Sequence, residues 1–356
     1  MRESNTGTAA RSGQWRLFRL GVWALVFLWA APVEGQALTE IGVAPTDGTI
    51  LGEVTDVDIL PNGNFVVMDI QAATVYVFDP SGRQVHALGG SGEGPGEIQL
   101  SAEVEVGPDG DIMIVDARNH RMTRWARDGT LIGSTRFSQL IGSFPFWPHD
   151  LMWEGDVLVL KISGFMPDQP IEFYALPLTL DGTAKILVSL EKEEGPTCLF
   201  CAVTLGTSGE LVVFRGDTLY QLHRLDSLGA VSATWSRSDL PAVRRSEEEI
   251  KQRRSDMSRR MGVESGTPGI SDIPPFKTRF GPRSIDVDDA GRLWTAPRQA
   301  EGDGGSLDVF TPSGEYSHSI ALGVPIKHIR IRGNYLVVAT ETPIGEPVVR
   351  LYRIDS

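Results

Sequence analysis

Two stretches of this chain repeat one another in layout. VTDVDILPNGNFVVMD, from Val54, and SAEVEVGPDGDIMIVD, from Ser101, align at a fixed offset of 47 residues. At that offset Asp58 meets Glu105, Gly63 meets Gly110, Asp69 meets Asp116, Phe78 meets Trp125 and Gly82 meets Gly129. A unit of this period cannot bury its apolar face alone and must stack on its neighbours, so it constrains the architecture more than length does. Each unit reads as two alternating strands around Asn62-Gly63 or Asp109-Gly110, dipeptides that supply the positive φ of a tight hairpin. A less regular third strand and a fourth edge ending in Asp-x-x-Gly complete it. The unit is therefore a small antiparallel sheet. Composition agrees, since 39 Gly and 22 Pro among 356 residues favour turns over long helices, and 41% hydrophobic residues suffice for a core.

Fainter copies follow the same grammar. The third runs from Pro148 to Leu190, turning at Trp153-Glu154-Gly155-Asp156 and closing with LTLDG at 178–182. The fourth starts near Cys198, turns at Ser208-Gly209 and closes with Leu225-Asp226-Ser227-Leu228-Gly229. The fifth begins at Pro282, turns at Ala290-Gly291 and closes with VFTPSG at 309–314; the sixth begins at Pro325, turns at Gly333-Asn334 and ends with LYRID. Six sheets of this size stack radially. The expected fold is all-β, a six-bladed β-propeller of four-stranded antiparallel blades over residues 38–356. The last unit lacks an edge, which the alternating segment Ala37 to Val43 is expected to supply, removing an open sheet edge.

Within the second unit, GPDGDIMIVDARNHRMTRWARDG resembles an NHL repeat, with Asn119, His120 and Arg121 in the motif's place and Asp116 ahead of them. The linker GEGPGEI at 92–98 is similar to blade-entry loops of bacterial exported six-bladed propellers of the NHL-related group. The resemblance covers about residues 40–356 at the level of repeat architecture. It implies the propeller fold, and a functionally mixed group: some members are lyases or lactonases with a metal on the central axis, others only bind. Fold does not carry activity with it.

One segment breaks the strand pattern. From 238 to 261 the chain reads as a helix inserted between blades 4 and 5, with a Ser246/Glu249 capping box. Glu247 with Lys251, Glu249 with Arg253 and Asp256 with Arg260 are spaced as ion pairs one turn apart. Seven basic and four acidic residues lie between Arg244 and Met261, a local excess of positive charge on a chain of net charge −13. It is either a solvated rim helix or a lid or docking helix. The Gly/Pro-rich segment 262–281 that follows can lie across one channel mouth.

The N-terminal 37 residues carry Arg2, Arg11, Arg16 and Arg19 ahead of an apolar run from Leu20 to Ala31, then Pro32, Gly35 and Ala37. This is the layout of a secretory signal peptide, cleaved after Gly35 or Ala37, with an apolar run too short for a stable membrane span. The protein is expected to be exported, periplasmic or extracellular, and monomeric. Only Cys198 and Cys201 occur; in an oxidising compartment a structural disulfide is favoured over a redox dithiol, because the pair leads into a strand rather than a helix. Ala202 stands where haem attachment needs His.

The acidic balance argues against nucleic acid as a partner. The stretch 89–96 lacks the Lys-Ser/Thr of a phosphate loop, and G-x-S-x-G, H-E-x-x-H and calcium-loop motifs are absent from the sequence. What remains is the channel mouth. Aligning the six innermost strands on their turns brings Asp56, Glu103, His149, Ala202, Ser284 and His328 to equivalent positions, with Arg283 just ahead of Ser284. Asp56, Glu103, His149, Ser284, Arg283 and His328 are the candidate ligand-binding residues, for a small molecule, glycan or protein partner. Asp56, Glu103, His149 and His328 would suit a divalent metal; alternatively these groups pack and hydrogen-bond locally. Two functions follow: a non-catalytic exported binding or scaffold propeller, or a metal-dependent lyase or lactonase with its site on the axis.

Overall fold

In the computed structural model, the described residues are 37–142, 146–154, 157–164, 171–176, 184–190, 202–214, 218–226, 229–261, 264, 273–299 and 304–355. The expected signal segment 1–36 and both cysteines lie outside them, as do LTLDG and most of 262–272.

The strands form six sheets of four, and the first of them, β1 (Ala37–Ala44), belongs to the last sheet. Blade 1 is β2 (Val54–Ile59), β3 (Phe65–Asp69), β4 (Thr74–Phe78) and β5 (Gln84–Gly89); blade 2 is β6 (Ser101–Val106), β7 (Ile112–Asp116), β8 (Arg121–Trp125) and β9 (Leu131–Arg136). A single-turn helix, α1 (Phe137–Leu140), leads to blade 3: β10 (Phe146–Glu154), β11 (Val157–Gly164), β12 (Ile171–Leu176) and β13 (Lys185–Leu190). Blade 4 is β14 (Val203–Leu205), β15 (Leu211–Val213), β16 (Gln221–Leu225) and β17 (Val231–Ser236). After α2 (Glu247–Met261), blade 5 is β18 (Ile285–Val287), β19 (Leu293–Thr295), β20 (Ser306–Phe310) and β21 (Tyr316–Ala321). Blade 6 is β22 (His328–Arg332), β23 (Tyr335–Glu341), β24 (Pro347–Asp355) and, as its outer strand, β1.

The ring closes as its sequence anticipates. β1 runs antiparallel to β24 from Ala37↔Asp355 to Ala44↔Val349, with a bulge between Glu40 and Gly42. The Glu40–Arg350 ion pair and a 2.5 Å bond from Thr39 Oγ1 to Asp355 reinforce the seam. Both chain ends of the ring are therefore in one sheet, with β1 covering the edge that β24 would otherwise expose and completing the fourth strand of blade 6.

Each blade's apolar faces meet the next blade, so the cores lie at the six junctions. Val66, Met68 and Val75 pack on Val104, Ile112 and Trp125 between blades 1 and 2. At the seam between blades 6 and 1, Val337 and Leu351 pack on Val57, Phe65 and Phe78. Comparable clusters fill the other junctions. β3 and β7 are buried at all five positions because neighbours cover both faces, whereas outer strands such as β9 alternate.

Two readings of the sequence need correction. Asp-x-x-Gly does not end the fourth strand; it makes the turn between the third and fourth. In blade 1, Gly82 N donates to Asp79 O, while Asp79 Oδ1 accepts from the N–H of Ser81 and Arg83 before β5 begins. An Asp at this place folds its carboxylate back on the turn. The helical insertion is also shorter than 238–261: it starts at Glu247, because Ser246 Oγ accepts from Glu249 N at 3.1 Å and Glu249 accepts from Ser246 N at 2.8 Å. The capping box sets that boundary.

Gly63 and Gly82 separate two reasons for glycine. Gly63 has φ +85° and an added Cβ would make only ordinary contact with the Tyr335 ring at 3.8 Å, whereas Gly82 has φ +81° and a Cβ there would lie 1.9 Å from Val43 O in β1. We expect Gly63→Ala to lower unfolding stability by about 1 kcal/mol, from backbone conformation alone. Gly82→Ala should cost more than about 2 kcal/mol, since it adds a clash at the ring seam. Equal losses in chemical denaturation would show that β1 is not held against that turn.

Candidate functional site

The innermost strands β2, β6, β10, β14, β18 and β22 each pair on one side only, with β3, β7, β11, β15, β19 and β23. Their other edges face the axis, with backbone N–H groups that need acceptors. Carboxylates from the adjacent blade supply them. Asp56 accepts from Val57 N and, across the junction, from Val104 N at 3.0 Å; Asp58 accepts from Ile59 N and from Val106 N at 2.6 Å. Glu105 accepts from Trp153 N at 3.2 Å, and Asp286 from Ile331 N at 2.7 Å.

These acids form two tiers along the axis. In the first, the Arg283 guanidinium bonds Glu103 at 2.9 and 2.6 Å, lies 3.2 Å from Asp56 and 3.7 Å from Asp150, and donates to Leu151 O at 3.1 Å. Lys161, from β11, pairs with Asp150 at 2.7 Å. Arg283 is only 3% exposed and Asp56 2%. In the second tier, Arg330 faces Asp58 at 3.5 Å, Asp286 at 3.8 Å and Glu105, while Arg332 faces Asp58 at 3.8 Å and donates to Gly107 O at 3.2 Å. Thr204 Oγ1 also donates to Asp286, linking blade 4 to blade 5. Each tier holds three carboxylates against two cations.

Burial sets the protonation, and the shortage of cations leaves it only partly offset. Burial, and then repulsion from Asp150 and Asp56, push Glu103 up to about 7 against the attraction of Arg283. Asp56 rises to about 6 through burial, opposed by Arg283 and Arg330. Asp286 rises to about 7, again through burial. Arg283 loses by burial but gains more from Asp56, Glu103 and Asp150, and its proton is held more firmly than usual. With too few cations for its acids, the hub retains protons near neutral pH. Backbone strain marks the same place: Arg283 (φ +53°) and Asp150 (φ +41°) both adopt the left-handed conformation. For a non-glycine residue this costs roughly 1–2 kcal/mol.

Of the residues singled out in the sequence, Asp56, Glu103 and Arg283 come together. Ser284 and His328 flank them without touching the carboxylates. Ser284 Oγ donates to Gly281 O at 2.7 Å; His328 Nδ1 meets Pro282 O at 3.3 Å, and burial holds its imidazole down at about 4, so it is neutral. In blade 3 the equivalent of Asp56 and Glu103 is Asp150, one residue beyond His149. There the hairpin turns through two residues, with Glu154 pairing Val157, and the register shifts between His149 and Leu151. The His149 side chain lies outside those described. Among the described residues no three of His, Cys, Asp and Glu are grouped to hold a metal. Asp69 and Asp116 bond nearby backbone, accepting from Gly52 N at 2.7 Å and from Leu100 N at 3.2 Å.

A cleft of about 710 Å³ opens beside α2. It is lined by Arg245, Glu248, Gln252, Arg253 and Asp256 on or near the helix, and by Lys277 and Arg298 from the segments that frame β18 and β19. It lies on the Arg283 side of the ring, because Thr295, at the end of β19, pairs with Ile285 at the start of β18. Gly281 brings the two places together: a Cβ there would be 3.0 Å from Arg298 Nη2. The foreseen Glu249–Arg253 pair does not form; Glu249 turns to Lys277 instead.

Six four-stranded sheets, closed by β1, decide the architecture. The chain is a six-bladed β-propeller. Residues 41–215, a little under half of it, match the sequence model of the family DUF5128, described as a 6-bladed beta-propeller. No curated protein matches. Among solved structures, the propeller is similar to a member of the DUF4221 family from Bacteroides vulgatus, at TM-score 0.56 and 12% identity, over 90% of this chain and 99% of that one. A Bacteroides fragilis protein inferred to be exported gives TM-score 0.55 at 12% identity, over 90% and 96%. A gluconolactonase from Xanthomonas campestris gives 0.51 at 13% identity, over 92% of each. At these identities the likeness is one of fold.

Removing Arg283 would leave three buried acids sharing one lysine. Arg283→Met is expected to cost about 3–5 kcal/mol of stability, against a negligible change for a substitution of half-exposed Arg353. The pH dependence has a definite sign. Because the folded pKa of Glu103 is raised, its stabilisation is complete below the ordinary carboxylate range and is lost as pH rises through about 7. The thermal midpoint should therefore fall between pH 5 and pH 8, and Glu103→Gln should flatten that slope; an unchanged slope would contradict the assignment.

Proposed function

We propose that the protein is an exported, non-catalytic binding propeller of the NHL-related group. Its ligand or partner is held on the mouth where α2, residues 273–281 and the approach to Arg283 meet. The observation that carries this reading is the Arg283 cluster. The axial carboxylates that would hold a metal or act as a general base are buried, and they already bind a guanidinium and backbone N–H groups. They serve as the floor of the mouth, and the open chemistry on that side lies at its rim, in the cleft beside α2. Export is supported by the basic, apolar and small-residue order of residues 1–37 and by the likeness to a Bacteroides propeller inferred to be exported.

The competing reading is a metal-dependent lactonase or lyase, and the gluconolactonase shares only the fold with this chain. The two separate in one preparation. The protein purified without chelator is expected to carry substoichiometric divalent metal and to leave glucono-lactone at its uncatalysed hydrolysis rate. One metal per chain together with accelerated lactone opening would overturn the binding reading. On secretion, mass spectrometry should find a mature chain beginning at Gln36 or Leu38. A full-length secreted chain would remove the signal-peptide assignment.

A further inference from the structure

The cleft beside α2 gathers three guanidinium groups, of Arg245, Arg253 and Arg298, that form no close ion pair with a carboxylate among the described residues; Arg245 feels the attraction of Glu249 only at longer range. Arg245 donates to the carbonyls of Pro274, at 2.6 Å, and Phe276. Arg298 donates to Thr278, to its carbonyl at 3.3 Å and its hydroxyl at 2.5 Å. Arg253 is exposed on α2. The nearby acids are engaged elsewhere: Glu249 with Lys277, Asp256 with Arg259 at 3.5 Å and Glu248 with Lys251 at 3.9 Å. The neutral acceptors fix the guanidinium planes of Arg245 and Arg298 without cancelling their charge.

The groups repel one another. Burial, then Arg253 and Arg245, lower Arg298 to about 10; burial and then Arg253 lower Arg245 as well, against the attraction of Glu249. An anion in the cleft would offset this repulsion. Guanidinium forks suit the paired oxygens of phosphate, sulfate or carboxylate. A cleft of about 710 Å³ is far larger than a bare oxyanion and falls in the range of small-molecule sites. Its remaining wall offers Gln252 and the carboxylates of Glu248 and Asp256, acceptors for hydroxyl groups, beside the apolar side chain of Met257.

We propose that the cleft between α2 and the Lys277 and Arg298 segments binds an acidic carbohydrate, a sugar bearing a phosphate, sulfate or carboxylate group. The anionic group sits among Arg245, Arg253 and Arg298, and the hydroxyls face α2. This rests on reading the α2 side as the binding face, and names the ligand class for it.

The test is calorimetric titration of the full mature chain with glucose-6-phosphate, glucuronate, inorganic phosphate and glucose. At least one of the two acidic sugars should bind, more tightly than inorganic phosphate and with an affinity that falls as salt is raised. Glucose should give no binding. Which acidic sugar binds tells phosphate from carboxylate. Arg253→Ala, which removes an exposed side chain and should leave the fold intact, and Arg298→Lys should each weaken binding by roughly tenfold, as the loss of a charge-assisted contact predicts. Absence of binding by both acidic sugars, binding of glucose as tight as theirs, or affinity unchanged in Arg253→Ala overturns the proposal. The glucose result, or acidic sugars bound without Arg253, would leave the binding-propeller reading standing; metal-dependent lactone opening would remove that reading whatever the titrations show.

Discussion

A ring of sheets has a difficulty that a sandwich of sheets does not: every innermost strand presents one unpaired edge to the axis. Those N–H groups are remote from water, and leaving them without acceptors would cost about 1–3 kcal/mol each. Here four of them are satisfied by acids one blade away, and Ile329 N by the backbone carbonyl of Arg283 at 2.7 Å. Asp56 and Asp58 reach Val104 and Val106, Glu105 reaches Trp153, and Asp286 reaches Ile331. Because each carboxylate also takes its own following N–H or a cation, it fixes the height of one blade against the next. The apolar cores at the junctions supply most of the cohesion, but they do not by themselves fix the register along the axis.

Using acids for this purpose brings charge into the interior, and charge needs compensation. Arg283, Lys161, Arg330 and Arg332 supply it from blades 5, 3 and 6. Arg283 is the most demanding of these. It sits ahead of β18, not within a strand, and reaches blades 1, 2 and 3 through Asp56, Glu103 and Asp150, with a left-handed backbone at both ends of its longest contact. Such strain persists only where surrounding contacts over-determine the conformation. The contacts of the hub thus cross the middle of the ring, while those of the apolar cores run around it.

Much of this was legible in the residues. Asn62-Gly63 and Asp109-Gly110 mark hairpins because positive φ is cheap only for a few residue types, and the 47-residue offset carries the blade layout. LTEIGV alternates as an edge strand should, and it closes the ring. At the axis, Asp56, Glu103 and Arg283 could be read from the first position of each inner strand. Asp58, Glu105, Asp286 and Arg330 were missed, although they lie two residues further on, the strand period, in DVD, EVE, SID and HIR. Asp150 was missed for a different reason: a two-residue turn displaces the count in blade 3 by one. Lys161 had no signal, since a lysine reads as a solvent-facing residue and only the pairing of β10 with β11, which sets Lys161 opposite His149, brings it to Asp150.

The insertion follows a different logic from the ring. α2 is polar nearly all round, and such a helix gains little from burying an apolar stripe. It is held by its capping box, by Lys277 on Glu249 and by the backbone bridge of Arg244 with Phe276. None of its described side chains belongs to a junction core; from the insertion, Leu240 packs against the cluster of blades 4 and 5. The ring can therefore keep its register while the charge of the rim changes. Arg298, however, passes over Gly281, two residues ahead of Arg283 in the hub. The charged rim and the fixed centre of this propeller therefore come within contact distance of one another at a single glycine.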